Sequence, residues 1–267
     1  MANQSIVFVH GLGLGPWLFE KHFQPFYAQQ GLDVYLVELP QHFADSDKML
    51  RQRVTLDNCI EKVKQAINEN IQQDFVLVGM SMGGAITQKL LSSQWHHPHL
   101  RGAVLLSSVP PVNNLLFTLR LCRQLALQKP SALIDFFSGQ TNIDLMFSNQ
   151  SIVQLGDQAS ALYQQRVLTG FSRLEYELFF QDLITVASQS DTTSSDQRLS
   201  DKPLSATPLC VIGGEQDQLF PPDVTQFIAN YYSVNATLLP ELGHLIPIEP
   251  GYAAGIHAIN TFLNEVF

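Results

Sequence analysis

The most constraining stretch of the chain is Phe75-Val-Leu-Val-Gly-Met-Ser-Met-Gly-Gly84, where a short apolar run breaks into Gly79-Met80-Ser81-Met82-Gly83 and a helical pattern follows at once. A buried strand that turns directly into a helix leaves almost no room at the corner. Glycine two residues either side of Ser81 lets the two backbones pass where a Cβ would not fit. The serine between them takes a strained backbone conformation, and its hydroxyl is pushed out past the carboxyl end of the sheet. The same turn puts Met82 N–H at the start of the helix, aimed at any negative charge that develops beside Ser81.

Five more apolar runs share the character of Phe75–Val78: Ile6–Val9, Val34–Leu39, Ala103–Leu106, Leu209–Ile212 and Ala236–Leu239. They are short and unalternated, as strands are when helices cover both faces of a parallel sheet. Helical patterns separate most of them. Trp17, Phe19, Phe23, Phe26 and Tyr27 form an apolar stripe. Leu56, Ile60, Val63, Ile67 and Ile71 recur at steps of four and three behind Thr55, a suitable N-cap. Pro222 and Pro250 open two further helices near the end. The expected fold class is α/β: a doubly wound, mostly parallel sheet of about six strands. With 267 residues, of which 45% are hydrophobic and 15% charged, one large domain with a substantial core is affordable.

The alternation fails between Leu106 and Leu209, where helical apolar repeats replace strands. Candidate helices are Leu115–Ala126, Ser131–Phe137, Ala159–Phe171 and Leu174–Ala187. An insertion leaving one strand's carboxyl end and returning before the next should lie over the ligand-binding edge of the sheet. The expected division is therefore a core in two parts, 1–109 and 206–267, with a helical cap and return loop at 110–205. Ser188–Asp196 is polar and reads as the exposed return path. The cap aromatics (Phe117, Phe136, Phe137, Tyr163, Phe171, Tyr176, Phe179 and Phe180) read mostly as that subdomain's own core.

A net charge of −9 with no basic run excludes nucleic acid as the expected partner. Cys59, Cys122 and Cys210 are scattered without metal-ligand spacing and suit a reducing compartment. No export signal and no membrane span is visible, so a cytoplasmic protein is expected. Trp95-His-His-Pro-His99 lacks a second ligand pair and reads as a helix end, so no metal is expected.

A serine hydroxyl needs a base to take its proton and a carboxylate to orient that base. His244 follows the sixth strand in Leu239-Pro-Glu-Leu-Gly-His-Leu-Ile246, at a carboxyl end and ahead of the last helix. Leu209-Cys-Val-Ile-Gly-Gly-Glu-Gln-Asp217 offers two acids at the preceding strand end, Glu215 and Asp217. A second oxyanion donor should come from the glycine-rich turn after the first strand, Val9-His-Gly-Leu-Gly13, with Leu12 N–H the choice. His10 is expected to order that turn through its ring nitrogens. His42 reads as a solvated loop residue.

These segments, in this order, resemble the α/β-hydrolase fold superfamily, specifically its capped, esterase-like members. His10-Gly11-Leu12 resembles the oxyanion loop, Gly79–Gly83 the elbow, Gly213-Gly-Glu-Gln-Asp217 the acid turn and Gly243-His244 the base loop. The resemblance implies a triad of Ser81, Asp217 and His244, with Glu215 as a neighbour, and an oxyanion hole of Leu12 and Met82 N–H. Ser107-Ser-Val-Pro-Pro111 and Gly243-His-Leu-Ile-Pro-Ile-Glu-Pro-Gly251 resemble a group of bacterial hydrolases. The chain departs from the superfamily pattern by lacking an initial antiparallel hairpin, so the sheet should be all parallel with the first strand exposed at an edge. Its second strand ends in Glu38-Leu-Pro-Gln-His42 in place of the usual Asp and Pro-Gly. The implied activity is hydrolysis of a small, largely apolar ester or thioester with no cofactor. The same triad would also suit carbon–carbon bond hydrolysis or cofactor-free perhydrolysis, and a non-catalytic ligand receptor could keep the fold.

Overall fold

The computed structural model describes residues 4–137, 146–184 and 207–267. In chain order the elements begin β1 (Ser5–Val9), α1 (Trp17–Glu20), α2 (Phe23–Gln29), β2 (Asp33–Val37), α3 (Lys48–Arg51), α4 (Leu56–Asn70), β3 (Phe75–Met80), α5 (Met82–Ser92) and β4 (Leu100–Leu106). Four helices follow: α6 (Asn114–Gln128), α7 (Pro130–Phe137), α8 (Asn149–Arg166) and α9 (Ser172–Phe180). The chain then closes with β5 (Leu209–Gly214), α10 (Pro222–Tyr232), β6 (Ala236–Leu239) and α11 (Tyr252–Val266).

The six strands pair in the order β2-β1-β3-β4-β5-β6, every pair parallel. The expected strand segments are all present, but the first strand is not an edge. Ile6 pairs with Val34 on one side and Val76 on the other, so β2 and β6 are the outer strands. Burial explains the placement, since every residue of β1 is inaccessible while the first residue of β2 is exposed.

Alternate strand residues feed two cores. Val7, Val9, Leu77, Leu105 and Val211 pack under α4, α5 and α10, while Ile6, Phe8, Val76, Val78 and Val104 pack under α1, α2 and α11. On the second face Phe8 stacks on Phe19, with ring centroids 4.7 Å apart. Thr55 and Asn58 close a reciprocal cap at the start of α4.

The order of the strands reverses between β1 and β3, the position at which open α/β sheets take ligands beyond their carboxyl ends. The segment after β1 and the turn after β3 flank that point, and Val9 pairs with Gly79 directly below it.

Among the helices between β4 and β5, the fourth stops at Phe180, short of the expected Ala187, and two further departures concern a helix start and the packing. The third runs from Asn149 to Arg166, not from Ala159 to Phe171, because Ser148 caps an N-terminal stretch too polar to show a periodicity. The aromatics also anchor the insertion outward more than they build a core of its own. Phe171 is buried with the sheet core, Phe117 meets Phe227 of α10 at 5.2 Å, and Tyr163 stacks on Trp17 at 6.0 Å. Tyr176 and Phe180 stack on each other while exposed. The Ser188–Asp196 path and the Phe136 and Phe137 side chains lie outside the described residues.

Candidate active site

Ser81 sits between β3 and α5 at φ 54° and ψ −115°, a backbone conformation costly for any residue with a side chain. The flanking glycines are required by close approach. A Cβ on Gly79 would collide with the Gly83 carbonyl oxygen and Thr87 Oγ1, and one on Gly83 with the Val9 carbonyl oxygen. Ser81 N–H donates to the Leu106 carbonyl at 3.0 Å, and its carbonyl accepts from Val109 N–H at 3.4 Å. Met82 N–H, first in α5, has no acceptor within the helix.

The turn after β1 lies against Ser81. A Cβ on Gly11 would stand 3.1 Å from Ser81 Cβ and 3.5 Å from its Oγ. Leu12 follows directly. The turn is held by Leu14 N–H to the Gly11 carbonyl at 3.2 Å and by Leu168 N–H, from the segment after α8, to the Gly13 carbonyl at 2.8 Å.

His10 fastens this turn to the end of β2. Its Nε2 accepts from Leu39 N–H at 3.3 Å, which leaves the proton on Nδ1 to donate to the Gly11 carbonyl at 2.9 Å. Burial, with His42 alongside, holds His10 down at about 3. His42 is not solvated as expected. It is 3% exposed, donates from Nδ1 to the Pro40 carbonyl at 2.8 Å, and stacks on Phe171 at 4.1 Å. The insertion folds down over the loop after β2 and takes His42 out of water, which lowers it to about 4.

Asp217 and His244 meet at the ends of β5 and β6. His244 Nδ1 is 2.7 Å from Asp217 Oδ2, and neither side chain is exposed. The other Asp217 oxygen accepts from Leu219 N–H and Phe220 N–H, each at 2.9 Å. These donors aim the carboxylate at the ring. Glu215 is exposed, and only its backbone is engaged, N–H donating to the Leu239 carbonyl at 3.0 Å. With Nδ1–H given to Asp217, His244 Nε2 keeps its lone pair. That atom is buried without a hydrogen-bond partner, so the bond to Ser81 Oγ is not formed here. Catalytic hydrogen bonds commonly close only when substrate is bound.

Two buried polar groups at this edge escaped the sequence reading. Gln88 in α5 donates to Ser108 Oγ at 2.9 Å and the Val109 carbonyl at 2.8 Å, and accepts from Tyr232 OH at 3.0 Å. It thereby steadies the residue that binds the Ser81 carbonyl. Glu249 is buried beside Gly243, and burial pushes its carboxyl above the ordinary range. The available signal for Glu249 was a lone acid after the apolar run Leu245–Ile248, whereas Gln88, between Thr87 and Lys89, carries no such signal.

Between Val109, Phe220 and the helices α6 and α9 lies a cavity of about 10 Å³, room for one water. Phe117, Leu121 and Leu219 also line a neighbouring open cleft of about 400 Å³ between α6 and the start of α10. Among the described residues no group of His, Cys, Asp and Glu is arranged to hold a metal, and no helix is long and apolar enough to cross a membrane.

The sequence matches the alpha/beta hydrolase family model over residues 6–254. No curated protein matches it. Solved structures do. An enol-lactonase from Burkholderia xenovorans LB400 superposes with a TM-score of 0.70 at 15% identity, covering 99% of this chain and 92% of its own. A thermophilic esterase from Thermogutta terrifontis gives 0.69 at 18%, covering 99% and 91%. A bromoperoxidase from Bacillus anthracis gives 0.67 at 16%, covering 100% and 92%. At these identities the likeness is one of fold.

Proposed function

Since the chain belongs to the alpha/beta hydrolase family, we propose that it is a serine hydrolase that cleaves a small, largely apolar carboxylic ester or thioester, with the helical insertion as the cap of its site. The supporting observation is the buried Asp217–His244 pair, 2.7 Å apart, with Nε2 unpartnered at the sheet edge that carries Ser81.

Ser81 Oγ attacks the substrate carbonyl carbon while its proton passes to His244 Nε2. Asp217 holds the ring and offsets the charge it gains. Leu12 N–H and Met82 N–H take the tetrahedral oxyanion. As the intermediate collapses, the alcohol or thiol leaves with the proton from His244. Water, deprotonated by the same nitrogen, then releases the acid from Ser81. The preference for apolar acyl groups follows from the neighbours of the site: Phe220 lies 5.4 Å from the His244 ring, with Val109, Leu121 and Leu219 beyond it.

We also place this reaction in the cytoplasm. Cys59, Cys122 and Cys210 are all free thiols, as suits a reducing compartment.

The test is a fluorophosphonate probe followed by p-nitrophenyl esters of rising chain length, one amide and one acyl-CoA. Labelling confined to Ser81 and turnover of short esters are expected. A folded protein that takes no label would point to a receptor.

A further inference from the structure

Among the described residues the buried carboxylates are Asp217 and Glu249, and the catalytic scheme uses only the first. Every hydrogen-bonding contact of the Glu249 carboxyl group is a donor aimed at it. Gly243 N–H lies 3.0 Å from each oxygen, Ser148 N–H is 3.2 Å from Oε2, and the Ser151 hydroxyl donates to the same oxygen. Ser148 Oγ in turn donates to Ser151 Oγ at 2.8 Å and accepts from Ser151 N–H at 3.0 Å, capping α8. These donors and the first turn of α8 favour the charged carboxylate, while burial opposes it more strongly and leaves the carboxyl above its ordinary range.

Two further contacts tie the same segments together. His244 N–H and Leu245 N–H both donate to the Met146 carbonyl, at 2.8 and 3.1 Å. Gly243 has no room for a side chain, because a Cβ would collide with Ser148 N and stand 3.0 Å from Glu249 Oε1. The backbone on one side of His244 is therefore clamped between Glu249 and the insertion.

We infer that Glu249 is a positioning residue whose carboxylate fastens the turn carrying His244 to the first turn of α8, so that the insertion sets where the imidazole stands. This rests on the serine-hydrolase reading above. The inference gives the insertion a part in the chemistry besides covering the site. Any shift of α8 reaches His244 through one buried carboxyl group and the Met146 carbonyl.

Glu249→Gln replaces one acceptor oxygen with an NH₂ that must face N–H donors. In the full chain kcat for a short p-nitrophenyl ester should fall by about ten- to a hundredfold with KM within about twofold. The far-downfield proton resonance of the Asp217–His244 hydrogen bond should shift or broaden. Ser151→Ala, which removes one donor and leaves the carboxylate, should move both readouts the same way by a smaller factor, and decides alone if Glu249→Gln does not fold. An unchanged resonance with unchanged kcat per fluorophosphonate-titrated site overturns the inference, even if less protein folds. Full activity of Ser81→Ala would instead sink the hydrolase reading, and the resonance would still report on Glu249.

Discussion

The Cβ of Ser81 lies 3.1 Å from where a Cβ on Gly11 would stand, so the turn after β1 and the turn after β3 touch without a side chain between them. Leu14 Cδ1 would lie equally close to that added carbon. An alanine at Gly11 must therefore push the turn away from Ser81, and Leu12 N–H moves with it. Gly11→Ala should lower kcat by about ten- to a hundredfold, somewhat less than outright loss of an oxyanion donor. Its thermal midpoint should stay within a few degrees of wild type. Wild-type kcat in a folded Gly11→Ala protein would remove this turn from the oxyanion hole.

The proposed nucleophile and acid can be separated by single substitutions. Ser81→Ala should lose on the order of a millionfold in kcat if Ser81, His244 and Asp217 act as a unit. Asp217→Asn should lose on the order of ten-thousandfold, because an amide can hold His244 in the wrong tautomer. Glu215→Gln should be nearly silent, since the Glu215 side chain is exposed and only its backbone is fixed. Steady-state rates on one short ester, with the burst of p-nitrophenol as an active-site count, measure all three. Loss on Glu215→Gln in place of Asp217→Asn would reassign the acid.

The strands were legible because each is a short apolar run, and the positions of Ser81, Asp217 and His244 were legible because each closely follows such a run. The order of the strands was not, since β2 pairing outside β1 is a relation between segments that local pattern does not record. Burial of polar loop residues was equally hidden. His42 follows Pro40-Gln41 and looks solvated until Phe171, more than a hundred positions later, folds onto it. Glu249 is similar, since its donors Ser148 and Ser151 come from the insertion. The start of α8 was missed because the Ser148 cap, not an apolar stripe, fixes it.

Two of the three imidazoles buried among the described residues, His10 and His42, predict an acid weakness. His10 is held at about 3 and His42 at about 4, both below their ordinary 6.5. As pH falls below about 6.5 the unfolded chain takes up protons at these positions while the folded protein does not, so stability is lost progressively toward pH 4. Glu249, raised by burial, contributes the opposite slope in the carboxylate range. The clean measurement is therefore a difference. Urea unfolding at pH 7 and pH 4.5 should show a loss on the order of a few kcal/mol for wild type and a smaller loss for His42→Asn. An equal loss in both proteins would show that His42 is not held neutral by the fold.

Leu121 is 6% exposed and lines both the one-water cavity beside Phe220 and the cleft of about 400 Å³ between α6 and the start of α10. On the proposed reading, an acyl chain running past Val109 meets Leu121 between the two spaces. Leu121→Ala removes three side-chain carbons and joins the two spaces. Stability should fall by about 2 kcal/mol, toward the low end for such a truncation, because Leu121 belongs to a small cluster with Leu125 and not to either main core. Over the same change, kcat/KM for the octanoate p-nitrophenyl ester relative to the butyrate should rise on the order of tenfold. The butyrate rate itself should hardly move, since Ser81, Asp217 and His244 are untouched. A lower melting point with an unchanged octanoate-to-butyrate ratio would mean that the acyl group leaves the site by another route.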